Sequence, residues 1–319
     1  MTFREAIRKA MSDEMAFDKN VVLCGEDVGV YGGCFKVSEG LWKEHPDQVI
    51  DTPVSEEGFT GMAVGAAMMG LRPIVEIMYA DFYTLIFDPI VNHAAKTHFM
   101  SGGQFCCPIT VRLPEGSGTG HGAQHTQSPE GLFLNGTGLK LVAPSNPSDA
   151  YHLLRASIRD NNPVLFFEHK LLYPVEGEIS DEPVELGKAS VIGDGEDVTI
   201  IAYSHAVQTA LEASEILKVD GINATVVDLR TLNPLDKDTI FSQVRKTGRA
   251  VLVQDPNGIG GIDAQVCAAI CQDRKTFEAL KCPVLQFSGR NTPIPFSKDL
   301  ERLTIPQAED IVAGIRKLF

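Results

Sequence analysis

DTPVSEEGFTGMAVGAAMMGL, residues 51–71, joins two adjacent carboxylates, Glu56 and Glu57, to a run of small residues and methionines. Ser55 stands at the expected N-cap, with the acidic pair in the first turn, where the helix dipole favours negative charge. Behind them Gly58, Gly61, Ala63, Gly65, Ala66, Ala67 and Gly70 leave little side-chain bulk. Each glycine inside a helix costs roughly 1 kcal/mol relative to alanine, so the pattern predicts a helix that another backbone approaches closely. One reading is a packing helix whose acidic end is merely solvated. The other is an acid delivered by a tightly packed helix to a ligand at a subunit interface.

Outward from this stretch, composition sets the bounds. A chain of 319 residues with 44% hydrophobic and 22% charged residues is long enough for two globular domains. The net charge of −14 argues against nucleic acid and anionic membrane surfaces as partners. No apolar run approaches the roughly 20 residues of a membrane span. The N-terminal MTFREAIRKAMSDEMAF carries charge throughout, so it reads as an amphipathic helix and not as a secretory signal. Seven scattered cysteines without a C-x-x-C pair fit a reducing compartment, and the cytoplasm is the expected location.

Taken in order, the chain alternates short apolar runs with helical patterns. Val21-Val22-Leu23-Cys24 ends in Gly25-Glu26-Asp27-Val28, the shape of a buried parallel strand with functional groups at its carboxyl end. Residues 72–78 (RPIVEIM) form a second such strand, followed by Tyr79-Ala80-Asp81-Phe82 and a helical pattern over 88–100. A third strand at 108–112 leads into LPEGSGTGHGAQHTQSPEGLF (113–133), where glycines alternate and His121 and His125 stand four apart. A glycine loop does not hold an i, i+4 ligand pair, and no third ligand accompanies it, so a metal site is not expected there. A strand at 139–144 and a helix at 147–160 close this half, and the acidic, proline-containing 175–185 reads as a linker.

Beyond the linker the alternation restarts, with strands at 197–202, 224–229, 250–253 and 284–287 and helices at 206–219 and 236–246. The expectation is α/β throughout: two parallel-sheet domains, at 1–178 and 186–319. Gly193-Asp194-Gly195 precedes a strand and reads as a turn. No P-loop, dinucleotide fingerprint or nucleophile elbow is present.

Several of these segments carry a resemblance. SEEG (55–58) with its small-residue helix, GEDV (25–28), AQHTQS (123–128), IRDNNPV (158–164) and TPIPFS (292–297) together resemble one family, the β subunits of thiamine diphosphate-dependent 2-oxo acid dehydrogenases. These are the E1 components of the pyruvate and branched-chain complexes, and the acetoin dehydrogenase β subunit is similar. The likeness spans essentially the whole chain and implies a transketolase-like pyrimidine-binding domain followed by a transketolase C-terminal-like domain. It implies that Glu56 meets the aminopyrimidine ring of thiamine diphosphate, with Glu57 at the variable position. Glu26 becomes a carboxylate near that ring, Phe82 the aromatic lying against it, and His125 a substrate-side donor to the carbonyl oxygen. The backbone carbonyls of Ile109, Ser157, Asp160 and Asn162 would bind a monovalent cation, K⁺.

Leu85 departs from the pattern, standing where some members carry a polar residue. The family's Gly-Asp-Gly and asparagine motif for Mg²⁺ and diphosphate is missing, which implies that a separate α subunit supplies it in an α2β2 heterotetramer. The implied reaction decarboxylates a 2-oxo acid, pyruvate first, and passes the acyl unit to a lipoyl-bearing E2 acyltransferase. Branched-chain oxo acids and acetoin are the alternatives. A non-catalytic α/β scaffold subunit is the reading from a different class.

Overall fold

The computed structural model describes residues 1–319 and contains two sheets. The chain opens with α1 (Phe3–Phe17), whose first turn is closed reciprocally: Glu5 N–H donates to Thr2 Oγ1, and Thr2 N–H donates to Glu5 Oε2. The apolar runs of the first half become β1 (Val21–Gly25), β2 (Val49–Asp51), β3 (Arg72–Glu76), β4 (Thr110–Glu115), β5 (Lys140–Val142) and β6 (Val164–His169). Across the sheet they stand in the order β5-β6-β4-β3-β1-β2, every neighbouring pair parallel. Every residue of β4 and β6 is buried, as a sheet covered on both faces requires.

The connections supply α2 (Leu41–Glu44), α3 (Glu56–Met68), α4 (Tyr83–Asp88), α5 (Ala95–Met100), α6 (Glu130–Phe133) and α7 (Pro147–Arg159). The helix expected over 88–100 begins earlier and is interrupted. Between α4 and α5 lies a π-helical stretch, Pro89–Ala94, where the proline cannot donate to the preceding turn. Helix α1 packs on α7, and Glu14 joins them by accepting from Arg155 Nε and Arg159 Nε, each at 2.7 Å.

Residues 175–185 form no helix or strand beyond a single bridge between Glu176 and Thr2. The second sheet is built from β7 (Ser190–Ile192), β8 (Val198–Ala202), β9 (Ala224–Asp228), β11 (Ala250–Asn257) and β12 (Leu285–Gly289), with β10 (Thr231–Asn233) falling outside it. Their order is β12-β11-β8-β9-β7, parallel except where β7 runs against β9. The helices are α8 (Ala206–Val219), α9 (Lys237–Thr247), α10 (Ile262–Gln272), α11 (Arg274–Ala279), α12 (Lys298–Arg302) and α13 (Ala308–Ile315). Gly193–Gly195, expected as a turn, lies in the irregular link between β7 and β8.

Strand β10 had no sequence signal. Although it lies well past the linker, it pairs antiparallel with β5 and completes the first sheet as its seventh strand. The core is shared in the same way: one cluster of 33 buried residues holds Phe133, Leu141 and Phe167 of the first half together with Tyr203, Val227 and Leu252 of the second.

Inside the first sheet sits an ion trio that nothing in the hydrophobic pattern requires. Arg112 on β4 is wholly buried; its Nε and Nη2 each donate to Glu168 of β6 at 2.7 Å, and its Nη1 donates to Glu76 of β3. The Tyr173 hydroxyl donates to Glu168 at 2.9 Å. Burial pushes the Glu76 carboxyl above its ordinary value even with the guanidinium beside it. One positive charge thus serves two buried carboxyls across three strands.

Replacing Arg112 by methionine leaves both carboxyls unpaired and is expected to destabilise the chain by roughly 3–5 kcal/mol. A buried, unpaired carboxyl has a folded pKa above its unfolded one, so its penalty is full at neutral pH and eases as pH falls. Urea unfolding of wild type and Arg112→Met at about pH 8 and about pH 5 should therefore show a smaller gap at the lower pH. An equal gap at both would contradict the uncompensated carboxyls.

Candidate active site

Glu26, Glu56, Phe82 and His125 leave the sheet after the carboxyl ends of β1, β2, β3 and β4, respectively. Those strands are neighbours in the order β4-β3-β1-β2, so the fold gathers the four residues on one edge. This is the edge at which open α/β sheets collect ligands.

Glu56 opens α3 and is only 7% exposed, whereas Glu57 is exposed. Glu26 is 6% exposed, and its Oε1 is buried without a hydrogen-bond partner. Burial, then the nearby Glu56 charge, pushes the Glu26 carboxyl above its ordinary range, while the Ser55 backbone N–H pulls it back. Two buried carboxyls are therefore near enough for their charges to interact, and Glu26 keeps one oxygen without a partner.

The helix behind Glu56 differs from expectation in three ways. Ser55 occupies the N-cap position but its side chain makes no capping bond. Gly70 is not interior: at φ +102° it ends the helix, donating to Ala67 O while Leu71 N–H donates to Ala66 O. The glycine face is also not packed within this chain. Added Cβ atoms at Gly61 and Gly65 would meet nothing within 4 Å, and Met62 and Met69 on the same helix are 52% and 84% exposed.

An aromatic wall stands at the ends of β3 and β4. The His125 ring meets Tyr79 edge-on at 4.5 Å and Phe82 at 5.7 Å, and Tyr79 meets Phe82 at 6.0 Å. His121 lies 5.9 Å from Tyr79, and its Nδ1 is 2.7 Å from Thr119 Oγ1. Burial first, and then the Lys170 and His125 charges, lower the His121 pKa.

Two residues that the sequence reading passed over hold this loop. Asp81 Oδ1 accepts from Thr126 N–H, Gln127 N–H and Gln127 Nε2 at 3.1, 3.1 and 2.9 Å. Lys170 Nζ donates to the His125 carbonyl at 2.7 Å and lies over the Tyr79 ring, and burial pushes its pKa down to about 8. Lys170 follows β6 directly and Asp81 lies five residues past the end of β3, and that placement at strand ends was the one available signal.

A second polar cluster lies between the two halves. His169, His205 and Asp255 place ligand-type atoms within 4.8 Å of one another. Their hydrogen bonds argue against a metal. Leu171 N–H donates to His169 Nδ1 at 3.2 Å, so the neutral ring carries its proton on Nε2, which is 3.3 Å from Asp255 Oδ2. His205 Nδ1 donates to the same oxygen at 2.9 Å. Burial pushes His169 down to about 4, whereas Asp255 outweighs burial and raises His205. The cluster is a hydrogen-bonded His205–Asp255 pair with the His169 imidazole stacked on the His205 ring, the rings 4.7 Å apart.

Glu115 and Glu130, at the two ends of the 116–129 loop, are both buried. Burial and mutual repulsion raise Glu115 well above its usual value, and burial raises Glu130 to about 7.

The four carbonyls expected to bind a cation lie just before β4, near the end of α7 and in the turn between α7 and β6. Ile109 O accepts from Val164 N–H, Ser157 O from Asp160 N–H, and Asp160 O from Arg72 Nη1, each keeping a second lone pair. The Asp160 carboxylate also binds Asn162 N–H at 2.8 Å and pairs with Lys140. A cleft of about 960 Å³ includes Gln124 and Gln127, on either side of His125, but not Glu26, Glu56 or Phe82.

Known proteins resemble this chain along its whole length. The family model "Transketolase, pyrimidine binding domain" covers residues 1–176, and "Transketolase, C-terminal domain" covers 187–311. The pyruvate dehydrogenase E1 component subunit beta of Rickettsia bellii is 44% identical over 100% of this chain and 98% of its own length. Subunit beta-1 of rice (Oryza sativa subsp. japonica) is 44% identical over 99% of this chain and 86% of its own, and the Drosophila melanogaster subunit is 43% identical over 100% and 89%. Among solved structures, a split-gene transketolase described as an inactive beta4 tetramer superposes with a TM-score of 0.82, covering 100% of this chain and 98% of that one; at 22% identity it attests the fold alone. The chain belongs to the transketolase-like family that includes the pyruvate dehydrogenase E1 component β subunits.

Proposed function

We propose that this chain is the β subunit of a heteromeric, thiamine diphosphate-dependent E1 enzyme that decarboxylates a 2-oxo acid, pyruvate first, and passes the acyl group to a lipoyl-bearing E2 acyltransferase. The observation that carries this reading is the buried Glu56–Glu26 pair beside the Phe82–His125 wall on one sheet edge. The E1 β names of the relatives support pyruvate over branched-chain acids and acetoin. A scaffold subunit would have no need of two buried carboxyls with an unpartnered oxygen between strand ends.

The residues suit one half of the cofactor. Glu56 and Glu26 offer carboxyl oxygens to ring nitrogens, and Phe82 offers an aromatic face. Thiamine diphosphate, when bound, supplies the carbon nucleophile for the substrate carbonyl. Glu56 would hold or release a proton at its carboxyl oxygen against a pyrimidine nitrogen, a role suited to a desolvated acid. His125, its backbone fixed by Lys170, would donate to the carbonyl oxygen as negative charge grows there. The Gly-Asp-Gly and asparagine motif for Mg²⁺ and diphosphate is missing from the sequence, so both would come from the α subunit. Activity is accordingly assigned to the α/β complex, with K⁺ at the Ile109, Ser157, Asp160 and Asn162 carbonyls as a stiffening ion. The open glycine face of α3 supports assembly through that helix.

Three measurements on the reconstituted complex test this reading. Glu56→Gln keeps the shape but cannot exchange a proton, so deuterium exchange at the cofactor's reactive carbon should slow by a factor of about 10²–10⁴. Exposed Glu57→Gln should leave exchange nearly unchanged; the opposite result would assign the wrong carboxylate. His125→Ala should keep cofactor affinity and lose roughly 2–4 kcal/mol of transition-state stabilisation, and collapse of affinity at a normal rate per bound cofactor would make it structural. Gly65→Leu fits this chain without a clash, so circular dichroism should be unchanged while size exclusion shows broken assembly. An intact oligomer would refute the packing role.

A further inference from the structure

The 116–127 loop is gripped by a third charge, and this one comes from the other half of the chain. Glu301, on α12, is 1% exposed. Its Oε1 accepts from Gly118 N–H at 2.7 Å and its Oε2 from Gly120 N–H at 2.8 Å. No lysine or arginine pairs with this carboxylate, and its hydrogen bonds are these two amides.

The loop is shaped for the purpose. Gly118 and Gly120 sit at φ +102° and +75°, which turns their N–H groups to one side and makes a small anion-binding concavity. A side chain at Gly118 would also strike Leu171, whose Cδ1 lies 2.5 Å from where a Cβ would stand. The hold is continuous with the others: Glu301 fixes residues 118 and 120, Lys170 the carbonyl of His125, and Asp81 the amides of 126 and 127. Two of the three anchors belong to the half that carries the loop, and Glu301 does not.

We propose that Glu301 is a positioning residue, the latch by which the C-terminal half fixes the loop bearing His121 and His125, and that the Gly118–Gly120 amides form an anion nest which this carboxylate fills. The catalytic consequence rests on the role assigned above to His125; the latch itself does not. Emptying the nest would loosen the loop and misplace the imidazole without touching Glu26, Glu56 or Phe82. A carboxylate filling a pair of backbone donors can also be replaced from solution, as a side chain acting only through packing cannot.

The test uses Glu301→Ala and the isosteric Glu301→Gln in the reconstituted α/β complex. Hydrogen exchange should show lost protection over 118–127 in both. Turnover should fall by on the order of 10²-fold, as for misplacement of a reacting group, with thiamine diphosphate affinity retained. Formate titrated into Glu301→Ala should restore both protection and turnover, and should not do so in Glu301→Gln, whose amide still occupies the nest. Unchanged protection in both variants, or a loosened loop that formate does not restore, overturns the latch. Lost protection with normal turnover overturns its catalytic consequence. If His125→Ala proves to have normal turnover, the function reading fails while the exchange data still decide the latch.

Discussion

Arg112 holds two carboxyls inside the sheet, and the site depends on that arrangement. Glu76 is the last residue of β3, Arg112 is midway along β4, and Glu168 is the penultimate residue of β6. The segments that follow carry the Tyr79–Phe82 wall, the histidine loop and Lys170, respectively. A guanidinium presents its donors in a rigid fork, so it fixes both neighbours' register and not merely their proximity. Apolar residues of similar volume would fill this space at no loss of burial. We interpret the trio as alignment: Glu76 stands opposite Arg112 where β3 ends, and β4 and β6 run on in register to finish together at Glu115 and His169.

The carboxyl edge then divides its work by charge. Glu26, whose ionisation is discouraged by burial, keeps an unpartnered oxygen, whereas Asp81 and Glu301 accept hydrogen bonds from backbone amides. Lys170 carries its ammonium under the loop, at a carbonyl, where it opposes protonation of His121. A flexible glycine sequence thereby becomes a fixed surface by means of buried charges whose partners are backbone amides, a side-chain amide and a carbonyl, groups that do not titrate.

Much of this was legible in the sequence because it is local. The strand runs, the Gly25-Glu26 turn and the acid pair of α3 are signals within a few residues, and the parallel order follows from alternation. Family likeness also chose Glu56 over Glu57; in the structure the former is buried and the latter exposed. What could not be read is long-range. Asp81 meets residues 45 and 46 positions away, and Glu301 meets amides more than 180 positions away. The three residues of β10 have no pattern of their own, because an edge strand is chosen by the edge it covers. Gly70 was misread as interior because a helix stop and a helix contact both ask for glycine.

Strand β10 also bears on how the molecule comes apart. It caps the β5 edge of the first sheet with residues from beyond the linker, and the largest apolar cluster runs unbroken through both halves. Cutting the chain at the linker would not release two finished pieces. The first would keep a raw sheet edge, the kind of surface that recruits other strands, and both would expose apolar area now hidden between them. The linker separates two halves that share a sheet and an apolar cluster, and during synthesis the first sheet is closed only once residues 231–233 have been made.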